Sequence, residues 1–184
     1  MRTGAKLLLA ALLALEVALA GAAQDLSVEV KRDGASFDIR AAATVAAPLA
    51  TVWEVLTDYE HLAGFIPGLS QSTVELRAAN RVLVEQKGEA RFLVFSFPME
   101  VRLEVLESPS DSITSRAVGG NLKRMRGRYD LKSVDGGILL RYSGEMEPDF
   151  ELPPVIGTLA VRTMAEEQFA ALVAEIERRA ALGK

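Results

Sequence analysis

The chain has a single histidine, His61, and no cysteine. A multi-histidine zinc site, a thiolate metal site and a cysteine nucleophile are therefore excluded. A Ser-His-Asp arrangement would have to run through His61 alone. His61 stands between Glu60 and Leu62 in a short helical stretch, the setting of a surface histidine. Asp58 and Glu60 fall on the solvent side of the same pattern and do not form a catalytic carboxylate pair. No nucleophile, base and orienting group are spaced to act together, so no catalytic residue, metal ligand or cofactor is expected. An enzyme that works by a desolvated tyrosine and by shape stays open. Tyr142 is its first candidate, and Arg141, which alternates outward, is the second.

The remaining chemistry is apolar. Phe92, Phe95 and Phe97 lie within FLVFSFPM, ending at Met99, near a hairpin bend. Phe65 and Ile66 end the short helix before Pro67. Met125, Tyr129, Tyr142 and Met146 share the inner faces of two late strands, and Met164 and Phe169 lie on the final helix. Each of these groups can be read as plain core or as the wall of a ligand pocket. Methionine adapts to irregular ligands, and tyrosine supplies a polar handle in an apolar site. Gly127 and Gly144 remove side chains from those strand faces, as Gly157 does near the helix start. Glycine weakens strands and helices, so a void for ligand is one rationale and a bend in the sheet is the other.

The elements that would position these residues follow from periodicity. Leu26–Lys31 alternates, Asp33-Gly34 turns, and Ser36–Ala46 resumes with Phe37, Ile39, Ala41, Ala43 and Val45 on one face. Pro48 ends that strand. Ala50–Tyr59 has helical spacing, and a second short helix spans His61–Phe65. Strands follow at Ser72–Arg77, Arg81–Ala90, Phe97–Leu106, Ser112–Val118, Leu122–Val134 and Ile138–Met146. The strictest alternation is in the third of these, where Phe97, Met99, Val101, Leu103 and Val105 face one way. Pro153-Pro154 opens a long helix to about Arg179 with one apolar stripe, Val161, Ala165, Phe169, Leu172 and Ile176. Glu166, Glu167, Glu175, Glu177, Arg178 and Arg179 are left for solvent, with Glu175 and Arg179 as an i,i+4 pair. Lys123, Arg124, Arg126, Arg128 and Lys132 form a basic strip. Most of it lies opposite Met125 and Tyr129, a solvated face paired with carboxylates such as Glu100 and Glu104, or a contact for anionic headgroups. Strands grouped between helices argue an α+β fold with an antiparallel sheet covered by the long helix.

The first segment reads as a targeting signal rather than as fold. Arg2 and Lys6 precede the apolar run Leu7–Leu15, and Ala18-Leu19-Ala20 is a small-x-small cleavage pattern. Residues 1–23 are therefore expected to be a signal peptide, cut after Ala20 or Ala23. Residues 24–184 are expected to form a single domain that is periplasmic or secreted. Removing Arg2, Lys6 and Glu16 takes the formal charge from −4 to −5. Such a charge gives no overall pull toward nucleic acid. Hydrophobic residues at 49% and charged residues at 25% can build a core without cross-links.

Three stretches resemble a known family. Ala47-Pro48, Val52–Glu60 (VWEVLTDYE) and Leu62–Leu69 (LAGFIPGL) are similar to the start of the polyketide cyclase/dehydrase and coenzyme Q-binding START-domain family, within the START/Bet v 1-like (SRPBCC) superfamily. The strand around Met99–Leu106, the segment Gly127–Leu131 and the terminal helix fit as well. The resemblance implies a helix-grip fold over residues 36–181, a curved antiparallel sheet wrapped around the long C-terminal helix with a cavity between them. Members bind lipids, quinones, polyketides or other apolar molecules, and some are cyclases. The expectation is thus an exported binding protein or carrier for a hydrophobic small molecule or lipid. Its ligand would be held by Phe65, Ile66, Phe92, Phe95, Phe97, Met99, Met125, Tyr129, Tyr142, Met146, Met164 and Phe169. The alternatives are a cyclase or dehydratase and an envelope protein-interaction domain. Expected partners include a membrane surface and no nucleic acid, and the chain is expected to be monomeric.

Overall fold

The computed structural model describes residues 24–92, 95–150 and 152–183, and the expected signal peptide lies outside them. Strands β1 (Gln24–Asp33) and β2 (Ser36–Val45) form a hairpin whose turn needs the positive φ (+59°) of Gly34. Pro48 then starts helix α1 (Leu49–Thr57), and a 3-10 helix follows at Tyr59–Gly64. The helical spacing runs on to Tyr59, but Asp58 leaves helical geometry and places Tyr59 in the second turn instead. Six strands succeed one another: β3 (Leu69–Ala78), β4 (Arg81–Phe92), β5 (Phe95–Ser108), β6 (Ser112–Gly120), β7 (Leu122–Val134) and β8 (Gly137–Pro148). Helix α2 (Pro154–Leu182) closes the fold.

The strands form one antiparallel sheet in the order β1-β2-β8-β7-β6-β5-β4-β3. In that order every pair of neighbours is consecutive in the chain except β2 and β8, whose register runs from Phe37↔Met146 to Val45↔Ile138; β1 and β3 are the edges. Irregular steps at Leu69/Gln71, Val74/Leu76, Arg102/Leu103 and Leu122/Arg124 break the ladders, as bulges that curve a sheet do. The architecture is the α+β helix-grip fold.

The core lies between the inner sheet face and α2. Phe37, Ile39, Ala41, Ala43 and Val45 of β2 are buried, while Asp38 and Arg40 between them are exposed. From α2, Val161, Phe169, Leu172 and Ile176 are buried, joined by Val173 and Ala180, with Ala165 half-buried. The helix packs on β1, β2, β4 and α1.

Two charged groups depart from the sequence expectation. Glu175 is buried rather than solvated, because α1 covers that flank of α2. Its carboxylate accepts hydrogen bonds from Arg178 and Arg179, each at 2.7 Å, and Arg179 also donates to Asp58 at 2.8 Å. Asp58 is therefore a half-buried tie between α1 and α2 and not a solvent group; His61, itself exposed, lies 2.5 Å from its other oxygen. The basic strip is exposed as expected, but its partners differ. Arg124 and Arg126 pair with Glu145 at 2.7 and 3.1 Å, and Arg128 with Asp130 at 2.6 Å. Because β7 lies between β6 and β8, Glu104 of β5 is out of reach and pairs with Arg116 at 2.9 Å instead.

Candidate functional site

The β7–β8 ladder builds the floor of the site. Reading along its inner face, the cross-strand pairs are Leu131↔Leu140, Tyr129↔Tyr142, Gly127↔Gly144 and Met125↔Met146. Directly opposed aromatic residues pack well in a sheet, and the Tyr129 and Tyr142 rings lie 4.8 Å apart, tilted by 47°. Tyr142 leans along its own strand over the glycine pair. A Cβ on Gly144 would stand 2.3 Å from the Tyr142 hydroxyl oxygen, and one on Gly127 would stand 2.9 Å from it. The missing side chains at these two positions are therefore the seat of the tyrosine ring, not a void for ligand. Gly157 likewise lets Leu152 approach α2, since a Cβ there would lie 2.7 Å from the Leu152 Cβ.

A cavity of about 260 Å³ remains between this floor and α2. Among the residues expected at the site, Ile66, Met99, Met125, Tyr129, Tyr142, Met146, Met164 and Phe169 line it. Phe97 does not. It stacks on Phe150 at 5.0 Å and faces a smaller apolar pocket beside the main one, sharing Met99, Leu122, Met146 and Met164 with it. Phe65 is also outside the lining and sits beneath the Arg179 guanidinium, 5.9 Å from it. The side chains of Phe92 and Phe95 lie outside what the structure describes.

Polar groups are sparse and unequal. Tyr59 borders the cavity, but its hydroxyl donates to buried Glu107 at 3.0 Å, and Glu107 in turn accepts from Arg77 at 3.2 Å. Burial and the nearby Glu107 carboxylate push the Tyr59 phenol well above its ordinary value. No hydrogen bond joins the Tyr129 or Tyr142 hydroxyl or Ser115 Oγ to another of the described residues, and all three residues line the cavity. Both residues are half-buried and line the cavity. Burial pushes the Tyr142 phenol up to about 12 and raises that of Tyr129 as well, so both are neutral donors across the ordinary pH range. Gln86, Lys87 and Glu89 of β4, Glu145 of β8 and Gln168 of α2 also line the cavity, and the Gln168 side chain donates to the Pro67 carbonyl at 3.1 Å.

Sequence reasoning missed Ser115 and Tyr59. The alternation Ile113-x-Ser115-x-Ala117 in β6 would have placed Ser115 inward, beside a buried isoleucine. The hydroxyl of Tyr59 is a structural tie, which no spacing announces. Among the described residues no His, Asp and Glu side chains cluster as metal ligands would, and no helix is long and apolar enough to cross a membrane. The arrangement can enclose a compact apolar molecule and offer it neutral hydroxyl donors on one side.

Comparison with known proteins follows the same lines. A profile for the polyketide cyclase/dehydrase and lipid transport family matches residues 45–173. No curated protein matches by sequence. Among solved structures, an aromatase/cyclase from Streptomyces superposes with a TM-score of 0.63 at 16% identity, covering 79% of this chain and 94% of its own. A STAR-related lipid transfer protein from Xanthomonas axonopodis gives 0.63 at 14% identity, covering 83% and 99%. A START superfamily protein from Mycobacterium smegmatis gives 0.62 at 15% identity, covering 80% and 99%. At such identities the likeness shows the fold.

Proposed function

The chain belongs to the polyketide cyclase/dehydrase and lipid transport family, and from that premise we propose that it is a carrier or binding protein that holds one apolar small molecule between sheet and helix. The observation that carries the reading is the cavity of about 260 Å³, walled by methionine, aliphatic and aromatic side chains and supplied with unpartnered hydroxyls. Small-molecule sites have this composition, apolar walls with a few placed polar groups, at volumes from ~300 Å³ upward. The volume favours a compact ligand such as a short isoprenoid or a few fused rings. Native mass spectrometry of gently purified protein should show a co-bound lipid-like mass. Bare protein with no affinity for any apolar molecule would overturn the reading.

Export is part of the same proposal, supported by the cationic start, apolar run and Ala18-Leu19-Ala20 of the first segment. N-terminal sequencing of envelope or secreted material should begin near Gly21–Gln24, and an intact Met1 in the cytosol would refute it. A membrane surface is the proposed source of the ligand. Val155 and Leu159 at the start of α2 are 81% and 51% exposed, just before Ala160 and Val161, which line the smaller pocket that shares walls with the cavity. Val155→Asp should weaken co-sedimentation with phosphatidylcholine vesicles; equal sedimentation would remove this element.

A second reading, a cyclase or dehydratase, is favoured by one feature. The buried, neutral Tyr142 hydroxyl could protonate a carbonyl oxygen of a bound substrate. Arg141 takes no part, being exposed on the outer face. Unchanged turnover in Tyr142→Phe would eliminate this version.

A further inference from the structure

Two of the unpartnered hydroxyls come from different strands and converge. The site a Gly127 Cβ would occupy lies 2.9 Å from Tyr142 Oη and 3.1 Å from Ser115 Oγ, so the two oxygens are within about 6 Å of each other. Ser115 is the register partner of Gly127 on β6, and Gly127 is the partner of Gly144 on β8. The row Ser115–Gly127–Gly144 thus presents one hydroxyl at its β6 end and seats the Tyr142 phenol along the rest. Neither oxygen has a protein partner among the described residues, yet neither is sealed off, since both residues face the cavity. Two donors this far apart can both reach a single acceptor at ordinary hydrogen-bond lengths.

We infer that this pair reads an uncharged oxygen acceptor, a ketone, quinone or ester carbonyl, on an otherwise apolar ligand. The inference rests on the binding function proposed above and narrows its ligand class. The absence of a cation at this spot argues for an uncharged group. Arg40, Arg116, Arg126 and Arg128 all line the opposite, outer face of the sheet, and Lys87 lines the cavity from β4, which β5 separates from the strand of Ser115. A buried carboxylate here would gain two neutral donors and no countercharge, which does not offset its desolvation. A plain hydrocarbon would leave both hydroxyls dry and unpaired, an outcome that costs affinity. The glycine pair acts at one remove, as a positioning device for the phenol.

The test uses three matched compounds and isothermal titration calorimetry on the mature protein. They are 1-tetralone, its hydrocarbon tetralin, and 1,2,3,4-tetrahydro-1-naphthoate. Tyr142→Phe should weaken 1-tetralone about 10-fold and Ser115→Ala about 3-fold. Neither should weaken tetralin, and both should tighten it, because the hydrocarbon no longer leaves a hydroxyl unpaired; this opposite response is the control that the cavity is intact. The naphthoate should bind more weakly than 1-tetralone. If both variants change 1-tetralone and tetralin alike, or neither affects 1-tetralone, the hydroxyl pair does not read the ligand, while the binding function stands. A carboxylate that binds as tightly as the ketone overturns the uncharged-acceptor assignment. If none of the three binds wild type, the cavity reading falls and this inference with it.

Discussion

Tyr142 lies across the backbone of its own hairpin because Gly127 and Gly144 leave it room. Such a seat is costly to alter. Gly144→Ala puts a methyl group 2.3 Å from the present phenol oxygen, and overpacking of this kind is expected to lower stability by about 1–3 kcal/mol. Replacing the phenol by Tyr142→Leu in the same chain should recover part of the loss, read by urea denaturation as a double-mutant cycle. Additive losses would mean that the ring and the glycines do not touch. Glu175 offers a second case. Hydrogen bonds from Arg178 and Arg179 hold its carboxyl at about 2, below the ordinary 4.5. A depressed carboxyl stabilises the fold above its ordinary value and loses that contribution as pH falls through the folded value. Unfolding free energy should therefore decline from about pH 5 toward pH 2. Glu175→Gln should flatten that limb and lower stability at neutral pH by about 1–3 kcal/mol. Equal acid limbs in the two proteins would refute the assignment.

At the scale of elements, period and hydrophobicity were enough to place nearly every strand and both helices. Alternation such as Phe97 to Val105 has one explanation, a sheet with one wet face. The stripe from Val161 to Ile176 likewise declares which side of α2 is covered. Phe169 stands at the middle of that stripe, 5% exposed, and also borders the cavity. Phe169→Ala should cost about 3–5 kcal/mol, with loss of the denaturation midpoint as the measurement. A cost below about 1 kcal/mol would mean that α2 is held mainly by its polar ties. What periodicity did not indicate was the neighbour of each strand's outer face. Arg124 and Arg126 of β7 meet Glu145 of β8, not the acids of β5, because pairing order is a property of the sheet and not of any one strand.

For the whole molecule, the decisive contact is β2 against β8, which brings residues about 100 apart side by side and joins the β1–β2 hairpin to the other six strands. The space left over is what a ligand would share. A molecule that binds only the folded form raises stability by mass action, about 2.7 kcal/mol at 100 times its Kd. Saturating 1-tetralone should therefore raise the Tm of wild type. Ala165→Phe, which projects a ring from α2 into the cavity, should abolish that rise while keeping or raising the Tm of the free protein. A full shift in the filled variant would place the ligand elsewhere.

The order of elements, the inward and outward faces of each strand, the α2 stripe and the fold family were all determined by the sequence alone. These follow from local rules, two residues per strand repeat and 3.6 per helical turn, which act within one segment at a time. Most of the apolar side chains named for the site do face the cavity, for the same reason. Only the tertiary structure decided that Phe65 and Phe97 turn away from it, that Glu175 is buried beneath α1, and that the glycines seat a tyrosine. It also brought the Ser115 and Tyr142 hydroxyls to the two sides of Gly127. Those outcomes depend on side-chain direction and on neighbours two strands away, and the spacing of residues along one strand carries neither.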